Sequence, residues 1–78
     1  MEIKIKLLGP FRDYSSQMEG FTHTLEVPEG SSVKDVCAQL KIPPDAPRTI
    51  LVNGFMRGDG EILRGGDILS LFSPLGGG

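Results

Sequence analysis

The chain has 78 residues, a formal net charge of -2, one cysteine and no tryptophan. Domains usually run to ~100 to 150 residues, so this is one small domain, and at this size only roughly 60% of the unfolded surface is buried, which leaves one thin core and no deep substrate cavity. The 8 basic residues are scattered singly among 10 acidic ones, so no electrostatic footprint for nucleic acid or an anionic membrane is present. Cys37 is alone, which rules out an internal disulfide framework and a multi-cysteine metal site. The longest uncharged stretch, residues 68–78, falls far short of the ~20 apolar residues that span a bilayer. Met1-Glu2-Ile3-Lys4 lacks the pattern of a secretory signal, so a cytoplasmic location is expected. The anomaly is glycine, with 11 residues where average usage of ~7% would give about half as many.

Residues 2–8 alternate strictly, with Ile3, Ile5 and Leu7 on one side and Glu2, Lys4 and Lys6 on the other, which predicts a half-buried strand. Gly9-Pro10 stops it, and residues 11–16 suit a single helical turn or a loop. A second strand is predicted over residues 21–27, with Phe21, His23, Leu25 and Val27 sharing a face. A helix follows, with Ser32 as N-cap and Asp35 serving the exposed N–H groups of the first turn. Val33, Val36, Cys37 and Leu40 recur at the spacing of one apolar helix face, and Pro43-Pro44 forbids continuation past Ile42. Thr49 to Val52 reads as a third strand ended by an Asn53-Gly54 turn. Residues 55–66 are expected to form short turns anchored by Ile62 and Leu63, and residues 67–72 the last strand, with Leu69 and Leu71 opposite Ile68, Ser70 and Phe72.

One crossover helix on one face of a mixed four- to five-stranded sheet is the economical two-layer packing of these elements. That arrangement is the α+β fold called the β-grasp. Its domain is expected over residues 1–72, with residues 73–78 as a flexible tail.

Internal catalytic groups are few. His23, the only histidine, has no cysteine or second histidine at metal-ligand spacing and reads as a strand histidine; no metal site is expected. Cys37 lies on the apolar helix face and reads as a small buried hydrophobe rather than a nucleophile. Arg57-Gly58-Asp59-Gly60 lacks the lysine and following helix of a phosphate cradle and reads as a plain turn.

The end of the chain is different. Phe72-Ser73-Pro74-Leu75-Gly76-Gly77-Gly78 carries no charged side chain and finishes in three glycines. Without side chains such a segment can thread a narrow channel, and five extended residues reach roughly 17 Å. The order of elements, the Asn53-Gly54 turn, Gly65-Gly66-Asp67 before the last strand and this ending resemble the ubiquitin-like sulfur carriers. Gly9-Pro10-Phe11-Arg12 and the proline of the tail are more similar to the small subunit of molybdopterin synthase than to the thiamine-pathway carrier; Ser73 and the extra glycine at Gly76 depart from that pattern.

The resemblance implies that the chain has no self-contained active site and binds no cofactor. A ubiquitin-activating-type adenylyltransferase would use ATP to activate the Gly78 carboxylate, and the resulting thiocarboxylate would pass sulfur to an acceptor held by the large catalytic subunit of molybdopterin synthase, or by thiazole synthase. A modifier joined to other proteins through Gly78 is the alternative, and a β-grasp interaction module with an incidental tail is a third. Partner contact is expected at Leu8, Leu51 and Phe72, which strand alternation puts on the outer face beside the tail, and along Pro74, Leu75, Gly76 and Gly77.

Overall fold

Strand alternation decides which side of the sheet becomes core. The computed structural model describes residues 1–8 and 22–73. In β1 (Glu2–Leu7), Ile3, Ile5 and Leu7 are buried while Glu2 and Lys4 are exposed; in β5 (Ile68–Phe72), Leu69 and Leu71 are buried between half-buried neighbours. These two strands pair in parallel at the centre of the sheet, Ile5 opposite Leu69 and Leu7 opposite Leu71. β2 (Thr22–Glu26) adds antiparallel to β1, β3 (Thr49–Val52) antiparallel to β5, and β4 (Phe55–Met56) antiparallel to β3. The order across the sheet is β2-β1-β5-β3-β4, a β-grasp as expected, with Phe55–Met56 as the fifth strand.

The helix α1 (Val33–Gln39) closes the inner face with Val33, Val36 and Cys37, all buried. Its first N–H groups are fully accounted for, as they must be at a helix end packed against protein. Val33 donates to the Glu61 carbonyl at 2.9 Å, Lys34 to the Asp59 carbonyl at 2.9 Å and Val36 to the Ser32 carbonyl at 3.1 Å. The Asp35 N–H donates to Ser32 Oγ at 3.2 Å and its carboxylate accepts the Ser32 N–H at 2.9 Å, completing the expected capping box. The loop after β4 is thereby bonded to the helix start, with Leu63 N–H returning to the Ser31 carbonyl at 2.8 Å.

Three details correct the sequence reading. The helix ends at Gln39 rather than running to Ile42: Lys41 turns left-handed with φ 64°, Ile42 N–H reaches the Cys37 carbonyl at 2.9 Å and Lys41 N–H the Ala38 carbonyl at 3.0 Å. Those two bonds form the Schellman ending, which stops the helix before Pro43-Pro44 can and drops Ile42 into the core. Residues 55–66 are not turns alone, because Asn53 and Gly54, at φ 54° and 86°, make the tight two-residue reversal that lets Phe55–Met56 pair with β3. Ile62 is not a packing anchor: it is 56% exposed while Leu63 is 2% exposed. Leu25 and Leu40 pack on the core only partly buried. The readings of residues 9–21 and 74–78 lie outside the described residues.

Arg48 joins the two long connections. Its side chain is 4% exposed and donates through Nε and Nη2 to Asp59 Oδ1 at 3.2 and 2.9 Å, and through Nη1 to the Pro43 carbonyl at 3.2 Å. With Asp59 held this way and Glu61 N–H closing on the Gly58 carbonyl at 3.2 Å, residues 57–60 form the plain turn expected of them.

Two stability effects are expected. Lys41→Gly should stabilise the fold by about 1 kcal/mol in urea unfolding, because glycine removes the left-handed strain of a side-chain-bearing residue; an unchanged or lower midpoint would contradict this. The backbone and side-chain hydrogen bonds of Ser32 lower the Asp35 pKa. A carboxylate lowered on folding contributes stability that is complete above its unfolded pKa of ~3.9 and is lost as pH falls through the folded value. Asp35→Asn should accordingly lower the thermal midpoint at neutral pH and have less effect in strong acid.

Candidate functional site

The outer face of the sheet has no helix over it among the described elements. The register sets its rows: Leu8, whose N–H donates to the Leu71 carbonyl at 3.0 Å, lies beside Phe72, which faces Thr49. The next row runs Lys6, Ser70, Leu51, Met56, and the next pairs Lys4 with Ile68. Leu51 is thus diagonal to Phe72, within reach of an aromatic ring. The three residues expected to form an outer patch do come together, Leu8 exposed, Leu51 and Phe72 half-buried.

Two members were missed. Met56, 72% exposed, extends the patch from the edge strand; it was hidden because a two-residue strand carries no periodicity, although a two-residue turn at Asn53-Gly54 already places Met56 opposite Leu51. Ile68 was assigned to the correct side by alternation but not joined to the patch. The β1 side of this face carries Lys4 and Lys6, so an apolar centre is flanked by positive charge.

Asn53 stiffens the end of β5 remote from Phe72. Its left-handed backbone turns its own carbonyl out of the ladder, and the side chain substitutes: Oδ1 accepts the Ile68 N–H at 2.9 Å and Nδ2 donates to Asp67 Oδ1 at 3.0 Å. The other Asp67 oxygen accepts the Arg64 N–H at 2.8 Å. β5 is therefore anchored before it carries the chain to Phe72 and Ser73. Pro74, Leu75, Gly76, Gly77 and Gly78 lie outside the described residues.

Among the described residues no three potential metal ligands cluster. His23 is buried on the inner side of β2 opposite Ile5, a strand histidine as read from sequence. Cys37 is buried, and that burial pushes its thiol pKa up, with the Arg48 charge opposing. A thiol held protonated and enclosed is a poor nucleophile. Among the described residues no helix is long and apolar enough to cross a membrane.

A mixed sheet grasping one helix, with an open apolar face beside the last strand, defines a ubiquitin-like protein of the β-grasp class. The ThiS family model matches residues 5–78, and the chain belongs to that family. Among solved structures it is similar to a protein assigned as molybdopterin converting factor subunit 1 from Pyrococcus furiosus, with 26% identity and a TM-score of 0.73 over 94% of this chain and 97% of the other. SAMP1 from Haloferax volcanii matches at 24% identity and TM-score 0.71 over the whole of both chains. A chain from the complex of subunits 1 and 2 of molybdopterin-converting factor from Helicobacter pylori matches at 19% and 0.63, again over the whole of both. The last two likenesses are of fold. No curated protein gives a significant match.

Burial of Cys37 leads to a simple expectation: iodoacetamide should leave the native protein unlabelled and label it on unfolding in urea. Rapid native labelling would show a reachable thiol.

Proposed function

We propose that the chain is a sulfur carrier whose reactive group is the carboxylate of Gly78. The observation that carries this reading is the family match, which runs from the first strand through the terminal glycines. The domain supports it by offering an apolar face beside β5.

An α-carboxylate has a pKa of ~3.5 and is a resonance-stabilised anion at neutral pH, so it must be activated before sulfur can replace oxygen. A carboxylate oxygen attacks the α-phosphorus of ATP in a ubiquitin-activating-type adenylyltransferase, releasing pyrophosphate and forming an acyl-adenylate. The terminal sulfur of a persulfide attacks the carbonyl carbon, and AMP leaves with one of the original oxygens. A second thiol then cleaves the sulfur–sulfur bond, freeing the thiocarboxylate and leaving a disulfide on the donor. ATP is the adenylyltransferase's substrate, and this chain holds no cofactor of its own.

Leu8, Leu51 and Phe72 dock on the activating enzyme, and Pro74, Leu75, Gly76 and Gly77 form the arm that delivers Gly78 to its centre. The acceptor is the cyclic pyranopterin monophosphate held by a molybdopterin synthase large subunit. The Pyrococcus similarity favours this over a thiazole acceptor, and the Helicobacter complex is an instance of such a pairing in a protein of this fold.

Intact mass spectrometry of protein isolated from its native cells tests the reading. A species in which one sulfur replaces one oxygen, lost on removal of Gly78, is expected. The same chain found joined to lysines of other proteins, with no sulfur species, would instead establish a modifier, a role consistent with the fold shared with SAMP1. Phe72→Ala and Leu51→Asp should each weaken binding to the adenylyltransferase by about tenfold, as expected for a residue near the centre of an interface, without lowering helix content by circular dichroism. Unchanged affinity would remove these residues from the docking surface.

A further inference from the structure

Asn53 is the only asparagine in the chain, and a glycine follows it. An asparagine side chain in this setting is open to attack by the next backbone nitrogen, because glycine puts no side chain in the way. We propose that Asn53 is a site of spontaneous covalent modification, gated by the two hydrogen bonds that tie its side chain to β5, and that conversion charges the anchor of that strand. The chemistry at Gly78 plays no part in this.

The step needs only water and base. The Gly54 nitrogen gives up its proton and attacks Cγ of Asn53. The N–Cγ bond forms, the Cγ–Nδ2 bond breaks, and Nδ2 takes up a proton and leaves as ammonia, so that a cyclic imide closes. Water then opens the imide at either carbonyl. Opening at Cγ leaves aspartate, and opening at the main-chain carbon leaves isoaspartate, whose chain continues through Cγ. Nothing is oxidised or reduced.

Steric cover does not prevent the attack. Asn53 is exposed, and a Cβ built on Gly54 would meet no atom within 4 Å. The restraint is hydrogen bonding. Oδ1 accepts the Ile68 N–H at 2.9 Å and Nδ2 donates to Asp67 Oδ1 at 3.0 Å, so both ends of the amide are held by residues at the start of β5. One partner is a donor and the other an acceptor, which fixes the amide in a single orientation. Asp67 is held in turn, since its other oxygen accepts the Arg64 N–H at 2.8 Å. The main chain under the side chain is fixed too, with the Asn53 N–H donating to the Ile68 carbonyl at 2.9 Å. For Cγ to close on its own chain, the amide must swing away from β5 and both side-chain bonds must break. The rate of conversion therefore follows the population in which this end of the hairpin has opened.

Conversion changes what Asp67 meets. In the aspartate product an oxygen replaces Nδ2, so two carboxylates face each other where a hydrogen bond stood. In the isoaspartate product the main chain gains a methylene, which the tight reversal between Val52 and Phe55 does not accommodate. Either product weakens the link between the β3–β4 turn and β5.

The test keeps the full chain in mildly alkaline buffer with and without urea. Proteolysis and mass spectrometry then read the fraction of the Asn53 peptide that carries an acid in place of the amide. Rearrangement at Asp59-Gly60 leaves the mass unchanged and does not interfere. Conversion in the folded chain is expected to be at least about tenfold slower than in urea. Asp67→Ala should speed the folded chain by about fivefold and leave the rate in urea unchanged, with circular dichroism confirming the fold. Asn53→Asp, which reproduces one product, should lower the thermal midpoint. Asp67→Asn in that background should restore it, because the new amide donates to position 53 and still accepts the Arg64 N–H. Equal rates in the folded and unfolded chain, a folded rate unmoved by Asp67→Ala, or a midpoint unmoved by Asn53→Asp would each overturn the proposal.

Discussion

The parallel pairing of β1 with β5 is the contact on which the other features rest. It places Ile5 against Leu69 and Leu7 against Leu71 with none of these more than 2% exposed, and it commits one face of both strands to the core under α1. A one-residue slip in either strand would turn Lys4 and Lys6, or Ser70 and Phe72, into that core, a cost no small domain of marginal stability tolerates. With the inner face of β1 and β5 committed, their outer face is left for contact with a partner. The same register that builds the core brings Leu8 beside Phe72 and Leu51 diagonal to it, so the outer apolar patch is a consequence of core packing.

Fixing β5 at its start matters as much as packing its middle. Asn53 and Asp67 join the β3–β4 turn to the first residue of β5, and the capping box with the loop carbonyls of Asp59 and Glu61 joins that same region to the helix. Arg48 adds a buried clamp between the connections on either side of β3. The start of β5, remote from Phe72, is thereby held by hydrogen bonds as well as apolar contact.

Much of this was legible in the sequence, and the reasons differ by element. β1 and β5 have one polar side, so alternation assigned their faces; Ser32 and Asp35 announced the helix start through residue types that few other positions demand. Asn53-Gly54 was recognised as a turn, but the strand behind it was overlooked because Phe55–Met56 is too short to show a period. Hydrophobicity alone puts Ile62 in the core, whereas the bridge between Ser32 and Ile62 leaves Ile62 exposed and Leu63 buried. Lys41 carries no sequence mark of a left-handed residue, so the helix end was read from the prolines and set too late. The tail was legible only through its composition and family resemblance, since three glycines have no side-chain chemistry to read.

In the proposed carrier the domain docks and the last residue carries the chemistry. The most direct test compares the full chain with one lacking Gly77 and Gly78 in ATP–pyrophosphate exchange catalysed by the proposed adenylyltransferase partner, while binding of both forms is followed by titration. The truncated protein should still bind through the outer face, competing with the full chain, and support no exchange above background. Exchange that persists without Gly78 would contradict the claim that its carboxylate is the reacting group.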